Sequence, residues 1–325
     1  MDTTELYSAD IKNISHDYLE FLPEYTNCSI NNLPIPDNET IRHIFISGGG
    51  TMGFSYYGIL QESNKMNVWQ YENIQTIYGT SIGAILAAIL CLKYDWNTLD
   101  DYLIKRPWQN VFHYDINTIF ACVQNNGIFS KTITEKIFSP LLLGKDIPLT
   151  VTMNEYFKQT NIELHIIVTN VNIFEPVDIS YKTHPNWLLI DAIHASSSIP
   201  LLFTPILLNG ELYCDGGFCT NYPVKQCIEN GANPNEIIGI NTVAVNNEEP
   251  NTNDFSLFDY IVFLLNKILN KLMFRVEQNI HYTFWVPFDH RSLSNISNVA
   301  ETQSTREELI QYGIQSFREQ FDKMK

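Results

Sequence analysis

The chain is short of several things, and each shortage removes a class of function. Positive charge is scarce: 20 Lys and Arg stand against 36 Asp and Glu in 325 residues, a formal net charge of −16. Phosphate binding needs the opposite balance, so the composition argues against a nucleic-acid partner. An anionic membrane would repel the chain as a whole, so any membrane contact has to be local. The N-terminus, Met1-Asp2-Thr3-Thr4-Glu5, lacks the basic and apolar regions of a secretory signal. No uncharged apolar run has the length that spans a bilayer. The eight histidines show no metal spacing such as H-E-x-x-H. The six cysteines (Cys28, Cys91, Cys122, Cys214, Cys219, Cys227) form no C-x-x-C pair. These absences predict a reduced, cytoplasmic protein that is not secreted, with thiols scattered in its core. Neither a metal nor a cofactor is expected.

What is present is ample apolar material, 45% of residues, enough for a full globular core. Residues 1–40 read as an acidic extension with eight carboxylates and one lysine, closed by Pro34 and Pro36. A short apolar run, His43 to Ser47, then reads as a buried strand. The glycine-rich Gly48-Gly49-Gly50-Thr51-Met52-Gly53 follows, and a helix runs from Phe54 to about Lys65. Ile74 to Tyr78 is the second strand, and a helix from Ile82 ends near Lys93. This β-α-β-α order implies parallel strands joined by right-handed crossovers. Asp95 to Lys145 reads as mostly helical, with Gly127 as a breaker. Glu163 to Asn170 is a strong strand with a partner at Val177 to Ser180. Leu188 to Ala195 is a short helix, and Ser196 to Ser198 after it reads as a polar loop with no catalytic part. Asn209-Gly210 is a hairpin turn signal leading into Leu212 to Gly217. Glu236 to Val243 is a further strand.

Phe255 to Phe274 is the most apolar stretch, with polar residues recurring at helical spacing. It reads either as a core helix or as an interfacial helix on lipid, with Lys267, Lys271 and Arg275 offsetting the acidic surface. A last helix after Ser304 buries Ile310, Ile314, Phe317 and Phe321. The organisation read from the sequence is therefore an extension (1–40), a catalytic domain (41–245) and a C-terminal helical extension packed on it (246–325).

Three stretches carry chemistry. In Gly79-Thr80-Ser81-Ile82-Gly83 a serine sits between a strand and a helix. A sharp turn there strains the serine backbone and projects its hydroxyl from the sheet edge, toward a helix N-terminus. Gly79 and Gly83 leave room for strand and helix to approach. The run Gly48-Gly49-Gly50 lets backbone N–H groups converge, as the oxyanion of an acyl-transfer intermediate requires. Asp215 precedes Gly216 and Gly217, which allow close approach of backbone around its carboxylate.

Two rival readings meet these residues. Gly48-x-Gly50-x-x-Gly53 satisfies the dinucleotide fingerprint. However, the place of the ribose-binding acid, at the end of the second strand, is taken by the serine turn. The order Ser81, Asp215, then His281 or His290 also fits a hydrolase triad. No sequence context marks either histidine as the third member.

Together these blocks resemble the patatin-like phospholipase family. The family pattern is a G-G-G-x-[RK]-G loop, a G-x-S-x-G serine and a D-G-[GA] aspartate. The likeness also covers Ala195-Ser196-Ser197-Ser198-Ile199-Pro200 and Asn221-Tyr222-Pro223-Val224, and runs from about His43 to Val245. The resemblance implies a three-layer α/β/α sandwich with a mainly parallel central sheet. It implies a Ser-Asp dyad acting on ester bonds of phospholipids or other acyl lipids. Ser81 would attack the acyl carbonyl and Asp215 would take its proton. Backbone at Gly48, Gly49, Gly50 and Thr51 would hold the oxyanion, with Gly53, Gly79, Gly83, Gly216 and Gly217 supporting the turns. The expected partner is a lipid substrate, with peripheral membrane contact through 255–275. Met52 stands where the family has Arg or Lys, which leaves neutral glycerolipids open as substrates. The alternatives are an inactive lipid-binding or scaffold protein of the same fold, and a hydrolase of water-soluble esters or thioesters.

Overall fold

The computed structural model describes residues 40–113, 122, 124–244, 280, 282–288 and 296–324, with isolated helical positions between 260 and 268. The acidic extension, His281, His290 and most of 255–275 lie outside the described residues.

Strand β1 (His43–Ile46) is buried at every position. It leads through a 3-10 turn (Gly50–Met52) into helix α1 (Gly53–Lys65), strand β2 (Thr76–Thr80) and helix α2 (Ile82–Cys91). Helix α3 (Trp96–Lys105), strand β3 (Gly127–Phe129), helix α4 (Thr132–Leu143) and helix α5 (Met153–Thr160) follow. Strands β4 (Glu163–Asn170) and β5 (Glu175–Ile179) come next, then helix α6 (Leu189–Ser196). Strands β6 (Leu201–Phe203), β7 (Ile206–Leu208) and β8 (Glu211–Asp215) precede helix α7 (Val224–Glu229). The chain closes with strands β9 (Ile237–Ala244) and β10 (Tyr282–Phe288) and helices α8 (Ile296–Glu301) and α9 (Gln303–Met324).

The central sheet runs in the order β10-β9-β1-β2-β4-β8-β7, with β5 also paired to β4. The five strands from β10 to β4 are parallel. β5, β8 and β7 run antiparallel to their neighbours. Alternation along the buried strands sends side chains to two faces. Ile44, Ile46, Ile77, Leu164 and Ile166 join the large core beneath α1, α2, α6 and α9. Phe45 and Tyr78 point the other way, into a smaller core with Val224 and Cys227 of α7. That arrangement is a three-layer α/β/α sandwich.

On the second face Phe45 stacks on Tyr78 at 4.4 Å, and Tyr78 on His165 at 3.9 Å. Burial works against a charge on His165, yet its bonds to Asp178 and Glu163 win, and its pKa is raised.

Some local choices are written in the sequence. Thr152 and Glu155 form a reciprocal capping box that starts α5. Asn209 and Gly210, both at positive φ, turn β7 into β8. Other choices are tertiary. β2 runs two residues beyond the predicted Tyr78, because Gly79 and Thr80 still pair with Ile166 and Ile167 of β4. Gly127 does break the helical stretch, but as the start of β3, which pairs with β6. The segment 246–325 is not only helical: β10 adds a parallel edge strand whose Phe284 and Val286 are buried in the large core.

α9 lies across α1 at a crossing only glycine permits. A Cβ on Gly313 would stand 2.0 Å from the Ser55 carbonyl oxygen, and one on Gly58 2.2 Å from that of Ile310. Arg318 of α9 adds a 2.7 Å ion pair to the buried Glu62. Gly313→Val is therefore expected to lower stability by roughly 1–3 kcal/mol, the usual cost of overpacking. Urea denaturation measures it, and an unchanged midpoint with unchanged slope would show that the helices do not cross there.

Candidate active site

Ser81 occupies the turn between β2 and α2 with φ 56° and ψ −125°. This is a left-handed conformation that non-glycine residues adopt only under constraint, at a cost of about 1–3 kcal/mol. The constraint is the tight packing around it. A Cβ on Gly83 would lie 2.1 Å from the Ile46 carbonyl oxygen, so α2 starts almost in contact with β1.

Asp215 reaches the same place from the opposite direction. β4 pairs with β2 up to Thr80–Ile167, and with β8 from Val168–Asp215 onward. β5 occupies the other flank of β4 over both stretches. β2 and β8 therefore run toward each other along one flank of β4, and Ser81 and Asp215 stand where they meet. The contact is close: a Cβ on Gly216 would lie 2.3 Å from the Ile167 carbonyl oxygen and 3.1 Å from the Thr80 methyl.

The Asp215 carboxylate is buried at 3% exposure. Its Oδ1 accepts the Gly217 amide at 2.8 Å. Its Oδ2 is buried and has no hydrogen-bond partner among the described residues. Burial raises the carboxyl pKa from 3.8 to about 6, against the opposing pull of the Ser81 hydroxyl and the Gly217 amide. The turn is fixed from outside by Thr169, whose hydroxyl donates to the Asp215 carbonyl at 2.9 Å.

The glycine loop sits beside them. Gly48 does not offer its amide to the site, contrary to the sequence expectation: it donates to Asn221 Oδ1 at 2.9 Å, and Asn221 Nδ2 donates back to the Gly48 carbonyl at 3.2 Å. The side-chain amide thus clamps the root of the loop. Gly49 and Gly50 lead into the 3-10 turn, which is closed by the Met52 amide donating to the Gly49 carbonyl at 3.0 Å. Met52 ends that turn and packs against the large core.

Ser196 to Ser198 are a second correction. All three are buried rather than forming a solvated loop. Ser196 closes α6, accepts the Ser81 amide at 2.9 Å and donates to the Ile167 carbonyl at 2.6 Å. It fills the seam where β2 leaves β4, a role no local pattern reveals. Asn221 and Ser196 both fall in stretches covered by the family likeness, which was the available signal. Among the described residues no histidine is hydrogen-bonded to Ser81 or Asp215.

A cavity of about 150 Å³ opens on Ser81, Gly50 and Thr51. It follows α2 along Ile82, Ile85, Leu86 and Ile89, and apart from Tyr57, Ser197 and those three residues its walls are apolar. No helix among the described residues is long and apolar enough to cross a membrane.

A strained serine, a buried carboxylate and an apolar cavity thus meet at the carboxyl edge of the parallel strands. Comparison with known proteins is specific. The family model for patatin-like phospholipase matches residues 44–228, so the chain belongs to that family. It is 27% identical over 242 residues to uncharacterized protein R571 of Acanthamoeba polyphaga mimivirus, covering 72% of this chain and 78% of that one. It is 25% identical to probable lipid hydrolase 463L of Invertebrate iridescent virus 6, covering 58% and 63%. It is 26% identical to a cUMP-AMP-activated phospholipase of Escherichia coli, covering 58% of each. The chain thus spans less than two thirds of the latter two. VipD from Legionella pneumophila shares the fold, with a TM-score of 0.54 at 16% identity over 88% of this chain and 67% of that one.

Proposed function

We propose that the chain cleaves carboxylic esters of acyl lipids through a Ser81–Asp215 dyad and an acyl-enzyme. The observation that carries this reading is the meeting of β2 and β8, which sets an unbonded carboxylate oxygen of Asp215 beside Ser81. Ser81 Oγ attacks the ester carbonyl carbon, and its proton passes to Asp215 Oδ2. The negative charge that develops on the carbonyl oxygen is met by the amides of Gly49 and Gly50, with Thr51 next to them. Collapse of the intermediate breaks the ester C–O bond, and the departing alcohol takes the proton from Asp215. A water then gives its proton to Asp215 and attacks the acyl carbon. Release of the fatty acid returns the proton to Ser81.

An ordinary aspartate is a weak base at neutral pH. With its pKa near 6, Asp215 is still mostly ionised at pH 7 but a stronger proton acceptor. Turnover should therefore rise through pH about 6 and flatten above it. A profile still climbing through pH 8 would point to a different base.

The substrate class is lipid, and the surface supports contact with a lipid interface. Tyr260, Leu264 and Ile268 are helical, spaced by four, and all exposed. Leu265, between them, packs inward on Cys214 and Phe218 beside the Asp215 turn.

Fluorophosphonate labelling tests the activated serine, and fatty-acid release from phospholipids and neutral glycerolipids tests the substrate. The expected result is stoichiometric label on Ser81 and release insensitive to EDTA. A chain that takes no label and releases nothing would return Met52 and the binding-protein reading to the front.

A further inference from the structure

The cavity is walled partly by residues that lie beyond the matched family region of 44–228. Ile296, Val299 and Ala300 of α8 line it, beside the Gly50–Met52 turn and the Trp108 region. α8 is only six residues long and is too short to hold its own position. Arg306 at the start of α9 holds it. This side chain is buried, at 3% exposure, and its hydrogen-bond partners are backbone carbonyls. Nη1 donates to Val299 at 2.7 Å and Ala300 at 3.0 Å. Nε and Nη2 donate to Ile104 at 3.0 and 2.7 Å, and Nη2 also reaches Arg106 at 3.4 Å. These are the carbonyls left unpaired where α8 and α3 end, at the negative poles of both helices. One guanidinium thus ties together two helix ends whose residues Leu103, Val299 and Ala300 all face the cavity.

We infer that α8 is the wall that measures the acyl chain, and that Arg306 is the positioning residue that fixes this wall. The inference rests on the esterase reading above and adds a chain-length class to it. From Ser81 the cavity follows α2 as far as Ile89. Eight residues of helix rise about 12 Å. An extended chain advances roughly 1.2 Å per backbone bond, three bonds per residue, so about ten carbons fill that length. The site is built for medium acyl chains, around ten carbons, in preference to those of sixteen or eighteen.

The test is a series of p-nitrophenyl esters from four to sixteen carbons on the full chain, with kcat and KM separated. Wild type should gain about fourfold in kcat/KM per methylene up to about ten carbons, the value of burying each one, and then fall. Ala300→Phe places a ring in the cavity and should cut the ten-carbon to four-carbon preference at least tenfold, mainly through KM. Arg306→Met should broaden the length profile, and Arg306→Lys should recover part of it, which a general loss of folding would not do. A second readout separates this inference from the esterase reading: thermal stabilisation of Ser81→Ala protein by saturated fatty acids of the same lengths. Length-graded stabilisation of Ser81→Ala protein, beside a wild type that cleaves none of the esters, would sustain the measured wall and sink the hydrolase. An optimum at sixteen carbons, or a preference unmoved by Ala300→Phe, would overturn the wall.

Discussion

Ser81→Ala and Asp215→Asn should each lower kcat/KM on a short soluble ester by about four orders of magnitude or more, and the double variant should be no worse than either. The equality follows from the geometry. Among the described residues Ser81 has no other base beside it, and Asp215 Oδ2 has no hydrogen-bond partner. Each is useless without its counterpart, so their losses do not add. Asn keeps the shape and can still accept the Gly217 amide, so a collapsed loop would not explain the loss. Steady-state kinetics at pH 7.5, in which background ester hydrolysis sets the floor, decides it. If Asp215→Asn keeps activity within tenfold of wild type, the proton goes elsewhere, and His281 and His290 become the residues to substitute.

The second large effect is on stability and has the opposite sign. The folded pKa of Asp215 lies above its ordinary value, 3.8 against about 6. A raised carboxyl pKa means that ionisation opposes folding. The penalty is absent below pH about 4, grows between about 4 and 6, and is complete above that, where the difference amounts to about 3 kcal/mol. Asp215→Asn removes the charge, so it should be more stable than wild type at pH 8 and lose that advantage by pH 4. Ser81→Gly should also stabilise at pH 4, by about 1–3 kcal/mol, because glycine adopts φ 56° without strain, and by less at pH 8, where ionised Asp215 loses the hydroxyl that favours its charge. Denaturant midpoints at the two pH values read both effects. A gain for Asp215→Asn that is equal at pH 4 and pH 8 would mean that packing, not charge, is its source. The active variant is thus the less stable one, as expected where a site holds a charge and a strained backbone against its surroundings.

How the remaining residues serve the site was only partly legible. The glycine loop, the serine turn and the Asp215 turn are local events. Each is a strand ending in small residues, and each stands out in a linear reading. The division of labour within the loop does not. Gly48 reads the same as Gly49 until Asn221, 173 residues later, takes its amide. Ser196 reads as a loop residue until its hydroxyl is found between the Ser81 amide and the Ile167 carbonyl. Nothing in the linear sequence marks Arg306, whose partners appear only where the ends of α3 and α8 converge on it. In each case the partner is distant in sequence, and a hydrogen bond leaves no periodic trace.

By itself, the sequence determined the parallel α/β order, the serine turn, the glycine loop and the aspartate turn, because each depends on backbone freedom and apolar periodicity within a few residues. The tertiary structure alone decided that β2 and β8 converge on one flank of β4, and that the carboxylate is buried with one oxygen unbonded. It also decided that a C-terminal helix walls the cavity. These outcomes depend on which strand pairs with which and on what excludes water, and both are settled only when the whole core closes.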